Sequence, residues 1–363
     1  MKLWAVVLAG LLAMLAIAAP AGAATRKQLQ AGAFKVSMPS APIRDTVIER
    51  PNRAHARAIA SARLARFAVN DGAGNTVDVS KTATCAIACT DADEQSIASF
   101  LGTVPHGSEM NLLSVLLVAP SEIAVQCGSP QAQACYYPTF KRMVINGNNT
   151  TASDGATREF VIAHEYGHHL ANHRTNPPFD NPAIDWGPKR WASYQRVCQG
   201  VAAGAYFPGN EGSRYFQNPG EAFAETFAFA RFPTAPVAWH WIEGLRPDAN
   251  SLAAAQADAV TPWVGPESEN RQGRFPKRKR PKRKVKSLGT ALDGDMTVKL
   301  NGPARADLTL ILRGPDGKEL ERSDGIGSKE AVSYRVCGES SFNATVRRRG
   351  RKLTRFYLNG QLP

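Results

Sequence analysis

The sequence has no evident internal repeat, no pair of cysteines in CxxC spacing and no cysteine directly after its N-terminal apolar run. The missing CxxC pair argues against a thiolate metal centre. The missing cysteine after the apolar run argues against a lipid-anchored lipoprotein. Net charge is nearly absent from residues 25–273, which hold 21 Lys and Arg against 22 Asp and Glu. The formal charge of +13 is therefore local, because residues 274–286 contain nine cations and no anion. This distribution disfavours a protein that coats nucleic acid.

The N-terminus predicts export. The basic start at Lys2 is followed by an apolar run over residues 3–19, then Pro20 and three small residues. Seventeen apolar residues that end in proline and small residues favour a cleaved signal peptide over residues 1–24 rather than an uncleaved membrane anchor. We therefore expect a secreted protein with no transmembrane segment after cleavage.

Six cysteines suit an exported chain, since they can oxidise in pairs. The short separations favour Cys85 with Cys89 and Cys127 with Cys135. Pairing Cys198 with Cys337 would require the two ends of the mature protein to touch.

The 363 residues, 43% of them hydrophobic, leave room for two domains. Residues 25–66 lack periodicity and read as an N-terminal extension or a pro-segment. Residues 67–258 predict an α+β domain with hairpins at 67–79 and 135–145, a buried strand at 112–118, and helices at 91–101, 153–172, 189–203 and 218–232. Residues 259–287 are expected to be a Pro-rich basic linker. Short alternating segments over 288–363 predict a small β-sandwich domain.

The main chemical signal is an HExxH motif, His164-Glu165-Tyr166-Gly167-His168, on the second of these helices. Residues four apart on a helix share a face, so His164 and His168 can bind one Zn²⁺ while Glu165 serves as general base for the attacking water. The alternative is an exposed helical face with ordinary His and Glu residues. Phe160, Ala163, Gly167 and Leu170 form an apolar stripe that we expect to pack against the sheet.

A third metal ligand must come from elsewhere, and a carboxylate would leave one coordination position open for water. Glu221 and Glu225 lie one helical turn apart, so we assign Glu221 to the metal and Glu225 to the outer N–H of a ligating imidazole, most simply that of His164. If Glu221 instead completes a capping box with Asn218, Glu225 becomes the ligand. Other acids that could serve are Glu211, Asp180 and Asp185.

Two further histidines follow the motif. The extended metzincin pattern requires Gly and His where this chain has Ala171 and Arg174, so that pattern is excluded. His169 and His173 point away from the face shared by His164 and His168, and we expect them at the surface or beside the ligands.

These residues resemble a known family. The HExxH motif is followed about fifty residues later by Asn-Pro-Gly-Glu-Ala-Phe-Ala-Glu at 218–225. This pair of motifs is similar to that of the gluzincin metallopeptidases, and the residues at 218–225 resemble the anthrax-lethal-factor-like branch of secreted bacterial peptidases. The resemblance implies a zincin-like fold, with Glu221 as the third zinc ligand. It also implies a tyrosine shortly before that ligand that stabilises the transition state. The matching residue is Tyr215, whose alternative role is aromatic packing beside Phe216.

The tail resembles the bacterial pre-peptidase C-terminal domain, a β-sandwich appended to secreted proteases, over segments 296–300, 306–310, 314–318 and 323–325. Asp307, Asp316 and Asp324 are candidate Ca²⁺ ligands, with ordinary Asp turns as the alternative. The basic residues 274–286 are either a solvated spacer or a tether to an anionic cell-surface polymer or membrane.

The sequence as a whole predicts a secreted zinc endopeptidase that acts on protein or peptide substrates, with no specific nucleic-acid partner. The alternative is a catalytically inactive zincin-like protein that serves as a surface or polyanion-binding adhesion module.

Overall fold

The structure is a computed structural model that describes residues 26–27, 47–48, 53, 57, 65–89, 94–277 and 282–363. The predicted signal peptide lies outside these residues, as does most of the extension at 25–66. Within the described part of the chain, every helix is too short or too polar to cross a membrane.

The chain has an α+β region followed by a β-sandwich-like region. Among the described residues, the α+β region has five strands, β1 to β5, and eight α-helices with a described course, α1 to α8. Its strands are Ala65–Ala68, Thr76–Lys81, Ser114–Val118, Ala134–Tyr137 and Arg142–Asn146. Its helices are Ala83–Ala88, Glu94–Leu101, Pro120–Cys127, Arg158–Ala171, Lys189–Tyr194, Val197–Ala202, Pro219–Arg231 and Ala249–Val260.

The five strands form one sheet in the order β1-β2-β3-β5-β4. The two predicted hairpins are confirmed, because β1 pairs antiparallel with β2 and β4 pairs antiparallel with β5. The predicted buried strand is confirmed as β3, whose five residues are all buried. It pairs in parallel with β2 and β5, so it lies at the centre of the sheet. β4 lies at one edge, next to helix α4.

Helix α4 carries the HExxH motif and begins later than predicted. The Thr157 hydroxyl accepts a hydrogen bond from the Phe160 amide, which starts the helix at Arg158. Asp154 instead closes the preceding turn by accepting from the Ala156 amide. Helix α7 starts as predicted, with Asn218 as N-cap and proline in the first helical position.

The single helix predicted over 189–203 is wrong. The chain forms two short helices, α5 and α6, because Arg196 adopts a left-handed conformation with φ of 60° between them. A residue whose backbone adopts the left-handed conformation interrupts the regular hydrogen bonding of a helix.

The apolar stripe of α4 does not face the sheet as expected. A Cβ atom on Gly167 would lie 2.7 Å from the Ala224 Cα atom of α7. The ring of Phe160 packs against Phe229 and Phe232, at the far end of the same helix. At these positions α4 therefore packs against α7, and residues on another side of α4 contact the sheet.

The strands of the second region, β6 to β13, are Glu267–Phe275, Arg283–Gly289, Gly294–Asn301, Leu308–Arg313, Glu319–Ser323, Lys329–Val336, Ser341–Arg348 and Thr354–Leu362. They form two four-stranded sheets, in the orders β10-β9-β12-β7 and β11-β8-β13-β6, whose inner faces share one apolar core.

The predicted linker at 259–287 is wrong over much of its length. β6 pairs with β13, and β7 pairs with β12, so these basic segments are edge strands of the sandwich. The sequences of β6 and β7 show no alternation typical of a strand, because Phe275 and Leu288 are the only buried apolar residues within these two strands.

All six cysteines form disulfides. Cys85 pairs with Cys89 and Cys127 with Cys135, as the short separations favoured. Cys198 of α6 pairs with Cys337, which follows β11, so a covalent bond joins the two regions.

Candidate metal centre

The site lies where α4 and α7 make their closest approach. Gly167 has no side chain to separate the helices, so α4 rests on the backbone of α7 at Ala224. The start of α7 also lies close to the loop between α4 and α5, because a Cβ atom on Gly220 would lie 2.3 Å from the Ile184 carbonyl oxygen. These two glycines allow α7 to bring its first-turn carboxylate beside the histidines of α4.

His164, His168 and Glu221 converge at this contact. One ligand atom from each lies within 4.8 Å of the others, and all three residues are fully buried. Glu221 Oε2 lies 3.5 Å from His164 Nε2, and Glu221 Oε1 lies 3.4 Å from His168 Nε2. The buried Oε1 atom has no hydrogen-bond partner among the described residues. A carboxylate oxygen so placed, between two imidazoles, fits a bound cation.

Glu225 lies one turn further along α7 than Glu221. It contacts the Nδ1 side of the His164 imidazole, whereas Glu221 lies on the Nε2 side. The Oε2 atom of Glu225 is 2.8 Å from His164 Nδ1. A carboxylate accepts, so Nδ1 carries the proton, and the Nε2 lone pair of neutral His164 points to the ligand cluster. One helical turn of α7 thus holds both nitrogens of His164. Asn218 caps the helix by accepting from the Gly220 amide, which leaves Glu221 outside a capping box.

Glu165 and Tyr215 both lie at this site. Glu165 is fully buried within the HExxH turn. Burial raises the pKa of the Tyr136 phenol above its ordinary value, and the nearby Glu165 carboxylate raises that pKa further. Tyr215 is buried in the turn before α7, and its hydroxyl donates to Glu221 Oε2 over 3.1 Å. The ring of Tyr215 also packs edge-on against Phe216, so its packing role and its contact with Glu221 coexist.

Trp241 is a neighbour of the site that the sequence did not indicate. Its ring is 6.1 Å from that of His164 and 6.1 Å from that of Tyr215, and the residue is buried. The indole therefore packs against the ring of His164 and borders the ligand cluster. Nothing in the spacing of the motifs points to a residue twenty positions beyond Glu221.

Of the two positions expected for His169, the surface is wrong, because the residue is fully buried next to His168. Its Nε2 atom lies 2.9 Å from the Glu109 carbonyl oxygen, so Nε2 donates and Nδ1 accepts from the Tyr136 hydroxyl at 3.0 Å. Burial, followed by the neighbouring His173, lowers the pKa of His169 to about 3, which keeps the ring neutral. His173 is half-buried, and its Nδ1 atom lies 2.8 Å from the His169 carbonyl oxygen.

Glu109 connects His169 to the rest of the fold. Its carboxylate accepts from the Tyr166 hydroxyl at 2.8 Å and from Arg174 Nη2 at 3.0 Å. Burial raises the pKa of Glu109, but the Arg174 guanidinium and several hydrogen bonds outweigh it and hold the pKa below its usual value. Arg174 in turn donates to the carbonyls of Asp258 and Ala259 at the end of α8.

The other candidate acids lie outside the cluster. Glu211 accepts from Asn218 Nδ2, and Asp180 accepts from the amides of Asp185 and Trp186. In the β-sandwich-like region, Asp316 closes its own turn by accepting from the Lys318 amide. Within the described parts of the chain, His164, His168 and Glu221 are the one group of three or more potential ligands that comes together, so the candidate Ca²⁺ ligands do not.

Several described residues of the extension contact the folded body. Arg26 forms a buried ion pair with Asp293 at 2.8 Å, and Lys27 donates to Gln195 and to two backbone carbonyls. The Ile48 amide donates to the Tyr136 carbonyl of edge strand β4, and the Val47 amide donates to Glu211. These contacts place residues 47–48 between β4 and the loop that precedes α7.

No protein-family profile matches the chain, and no curated protein does. Among solved structures, 26% of the chain matches 89% of the pre-peptidase C-terminal domain of collagenase from Bacillus anthracis, at 8% identity and a TM-score of 0.23. A similar share, 27%, matches 87% of a mitogen from Yersinia pseudotuberculosis, at 16% identity and a TM-score of 0.22. A longer match covers 76% of the chain but 36% of aminopeptidase A from Legionella pneumophila, at 12% identity and a TM-score of 0.22. The chain is thus weakly similar to a pre-peptidase C-terminal domain, and at these TM-scores the matches say nothing of its activity.

Proposed function

We propose that the protein is a secreted zinc-dependent endopeptidase with a zincin-like catalytic domain of the gluzincin type. The observation that carries the proposal is the buried cluster of His164, His168 and Glu221, with Glu165 in the same helical turn. Two imidazoles and one carboxylate are the protein ligands of a catalytic zinc site, which keeps one position for water. Three disulfides suit an oxidising compartment, which supports the secreted location.

Zinc bound here would lower the pKa of a water molecule to about 7 and polarise the scissile carbonyl. Glu165 then takes the proton of the attacking water and passes it to the leaving amine. Glu225 holds the Nδ1 proton of His164, which keeps Nε2 available as a ligand. Tyr215, whose hydroxyl lies 3.1 Å from the Glu221 carboxylate, is close enough to the ligand cluster to donate to the developing oxyanion.

The test compares hydrolysis of an unfolded protein substrate by zinc-loaded protein, from Thr25 onward, with that by its Glu165→Gln variant. General base catalysis contributes about 100-fold to 10,000-fold, so the variant should lose at least 100-fold in kcat/KM while it retains zinc. Glu159→Gln is the matched control, because Glu159 lies on the same helix and pairs with Arg158 at the surface side. Unchanged hydrolysis by the Glu165→Gln variant would refute the mechanism. Zinc binding without hydrolysis by the parent would instead favour the inactive adhesion protein.

A further inference from the structure

One end of the β-sandwich-like region concentrates positive charge. We define the cationic tip as residues 274–277, 282–283 and 347–355, which belong to the ends of β6 and β12, the starts of β7 and β13, and the described parts of their connections. These residues include nine exposed Lys and Arg side chains and no acidic residue. The chain that we expected to be a flexible basic linker thus contributes to a folded surface.

Pairing within the sheets brings like charges together at the tip. Arg355 of β13 lies directly opposite Arg274 of β6, and Arg347 of β12 lies directly opposite Arg283 of β7. All four side chains are exposed, and none of them forms an ion pair within 4 Å among the described residues. Of the other tip cations, Arg349 pairs with Asp307 at 3.8 Å. Directly opposed like charges destabilise a sheet. Two such pairs at one end of one region are best explained by a ligand of opposite charge.

The backbone of the tip is held by a buried arginine. Arg348 is 5% exposed and lies over the ring of Phe275, with its guanidinium 5.1 Å from the ring centre. It donates to the carbonyls of Pro276 and Lys352, one in each of the two connections at the tip. Arg348 therefore links the two connections to each other, so the exposed cationic side chains of the tip extend from a backbone that is held in place.

The tip points away from the candidate metal centre. Strand β13 begins at the tip with Thr354 and ends at Leu362, beside the contact between the two regions. There Gly294 packs against Lys189 of α5 and against Pro363. Nine residues of β-strand span roughly 30 Å. A ligand at the tip would thus hold the protein without covering the metal centre.

The positions of these cations favour a flexible, linear ligand over a flat one. Arg274 and Arg355 lie on the outer face of one sheet, and Arg283 and Arg347 lie on the outer face of the other, because the inner faces form the shared core. A flat bilayer could contact one outer face at a time, whereas a flexible chain can contact both. We propose that the cationic tip binds a linear anionic polymer of a cell surface. This proposal is independent of the proposed peptidase activity.

The test measures binding of the full chain, from Thr25 onward, to fluorescently labelled long-chain inorganic polyphosphate by anisotropy at several salt concentrations. Binding should weaken steeply with salt, because each neutralised charge releases counterions. The quadruple variant Arg274→Gln, Arg283→Gln, Arg347→Gln, Arg355→Gln should bind at least tenfold more weakly and show a smaller salt slope. The matched control substitutes Lys299, Lys318, Arg322 and Arg335 by Gln, which removes the same formal charge elsewhere in the region, and should stay within twofold of the parent.

The tip variant should also unfold at the same temperature as the parent or a higher one, because it loses two repulsive pairs. That result separates lost binding from lost folding. Equal losses in the two quadruple variants would overturn the assignment to the tip. Tighter binding to phosphatidylglycerol vesicles, or to duplex DNA of equal charge, than to polyphosphate would overturn the assignment to a flexible polymer.

Discussion

Gly167 offers the sharpest test of how the two helices form the metal centre. The Gly167→Ala variant adds a Cβ atom 2.7 Å from Ala224 Cα, whereas ordinary contacts of this kind begin at 3.4 Å. The helices must therefore move apart by about 0.7 Å, or α4 must turn. Metal–ligand distances tolerate about 0.2 Å. Because Glu221 lies one turn from Ala224 on α7, we expect the zinc Kd of Gly167→Ala to rise at least tenfold.

The effect on folding is smaller, because two contributions oppose each other. Overpacking costs about 1–3 kcal/mol, whereas replacing a helical glycine by alanine favours the helix by up to about 1 kcal/mol. The free energy of unfolding without metal should fall by roughly 0–2 kcal/mol. Isothermal titration of zinc against a competing chelator measures Kd, and denaturation in urea measures stability. Adding Ala224→Gly should restore part of the affinity, since it removes the 3.2 Å contact with Ala224 Cβ but not the contact with Cα.

Gly212→Ala is the control, because a Cβ atom there meets one side-chain oxygen at 3.8 Å. It should leave the zinc Kd within threefold of the parent. If Gly167→Ala also stays within threefold, the close approach of α4 and α7 does not set the ligand distances, and the reasoning above is wrong.

Three other perturbations address the rest of the molecule. Glu225→Gln should weaken zinc binding about 10-fold to 100-fold in the same titration, because the amide can still accept from Nδ1 but lacks the negative charge that raises the basicity of His164; an unchanged Kd would contradict the role given to the 2.8 Å contact. Replacing Cys198 and Cys337 together by serine opens a loop of 139 residues and should lower the free energy of unfolding in urea by up to about 5 kcal/mol, whereas no change would mean that noncovalent contacts alone hold the two regions. Burial lowers the pKa of Lys189 from 10.5 to about 8, so the folded state resists protonation and stability should rise as pH increases from 8 to 10.5. Lys189→Met should reduce that slope, which can approach about 1.4 kcal/mol per pH unit, and an equal slope in parent and variant would exclude Lys189 as its source.

The sequence located the ligand cluster because its signals are local. Two histidines four apart on a helix, and two glutamates four apart after an Asn-Pro start, each place their side chains on one face before any tertiary contact is known. The assignments of Glu221 to the cluster and of Glu225 to His164 match where the structure places both side chains. That the cluster binds zinc and that the site cleaves peptides remain predictions.

The errors have equally specific causes. β6 and β7 were predicted as a linker because edge strands can be built from charged residues, and the two buried apolar residues in them are too few to show a period of two. The break between α5 and α6 depends on the left-handed Arg196, a residue type with no preference for that conformation. The predicted orientation of α4 is wrong because Gly167 belongs to the apolar stripe but has no apolar side chain to bury. Its lack of a side chain instead permits contact with another helix backbone.

The polar network around His169 explains why α4 does not turn about its own axis. An atom at the helix surface lies about 5–6 Å from the axis, so a turn of about 10° moves it by about 1 Å. That is several times what a metal centre tolerates. Apolar packing is non-directional and would permit such a turn. His169 has one ring nitrogen bonded to the Glu109 carbonyl and the other to Tyr136 of β4, and Tyr166 is bonded to the Glu109 carboxylate. The His169 contacts hold α4 on the sheet side, and Tyr166 holds it beside the Phe227 ring of α7. His169 is bonded outside the ligand cluster, and we therefore expect it to orient α4 and with it the neighbouring His168.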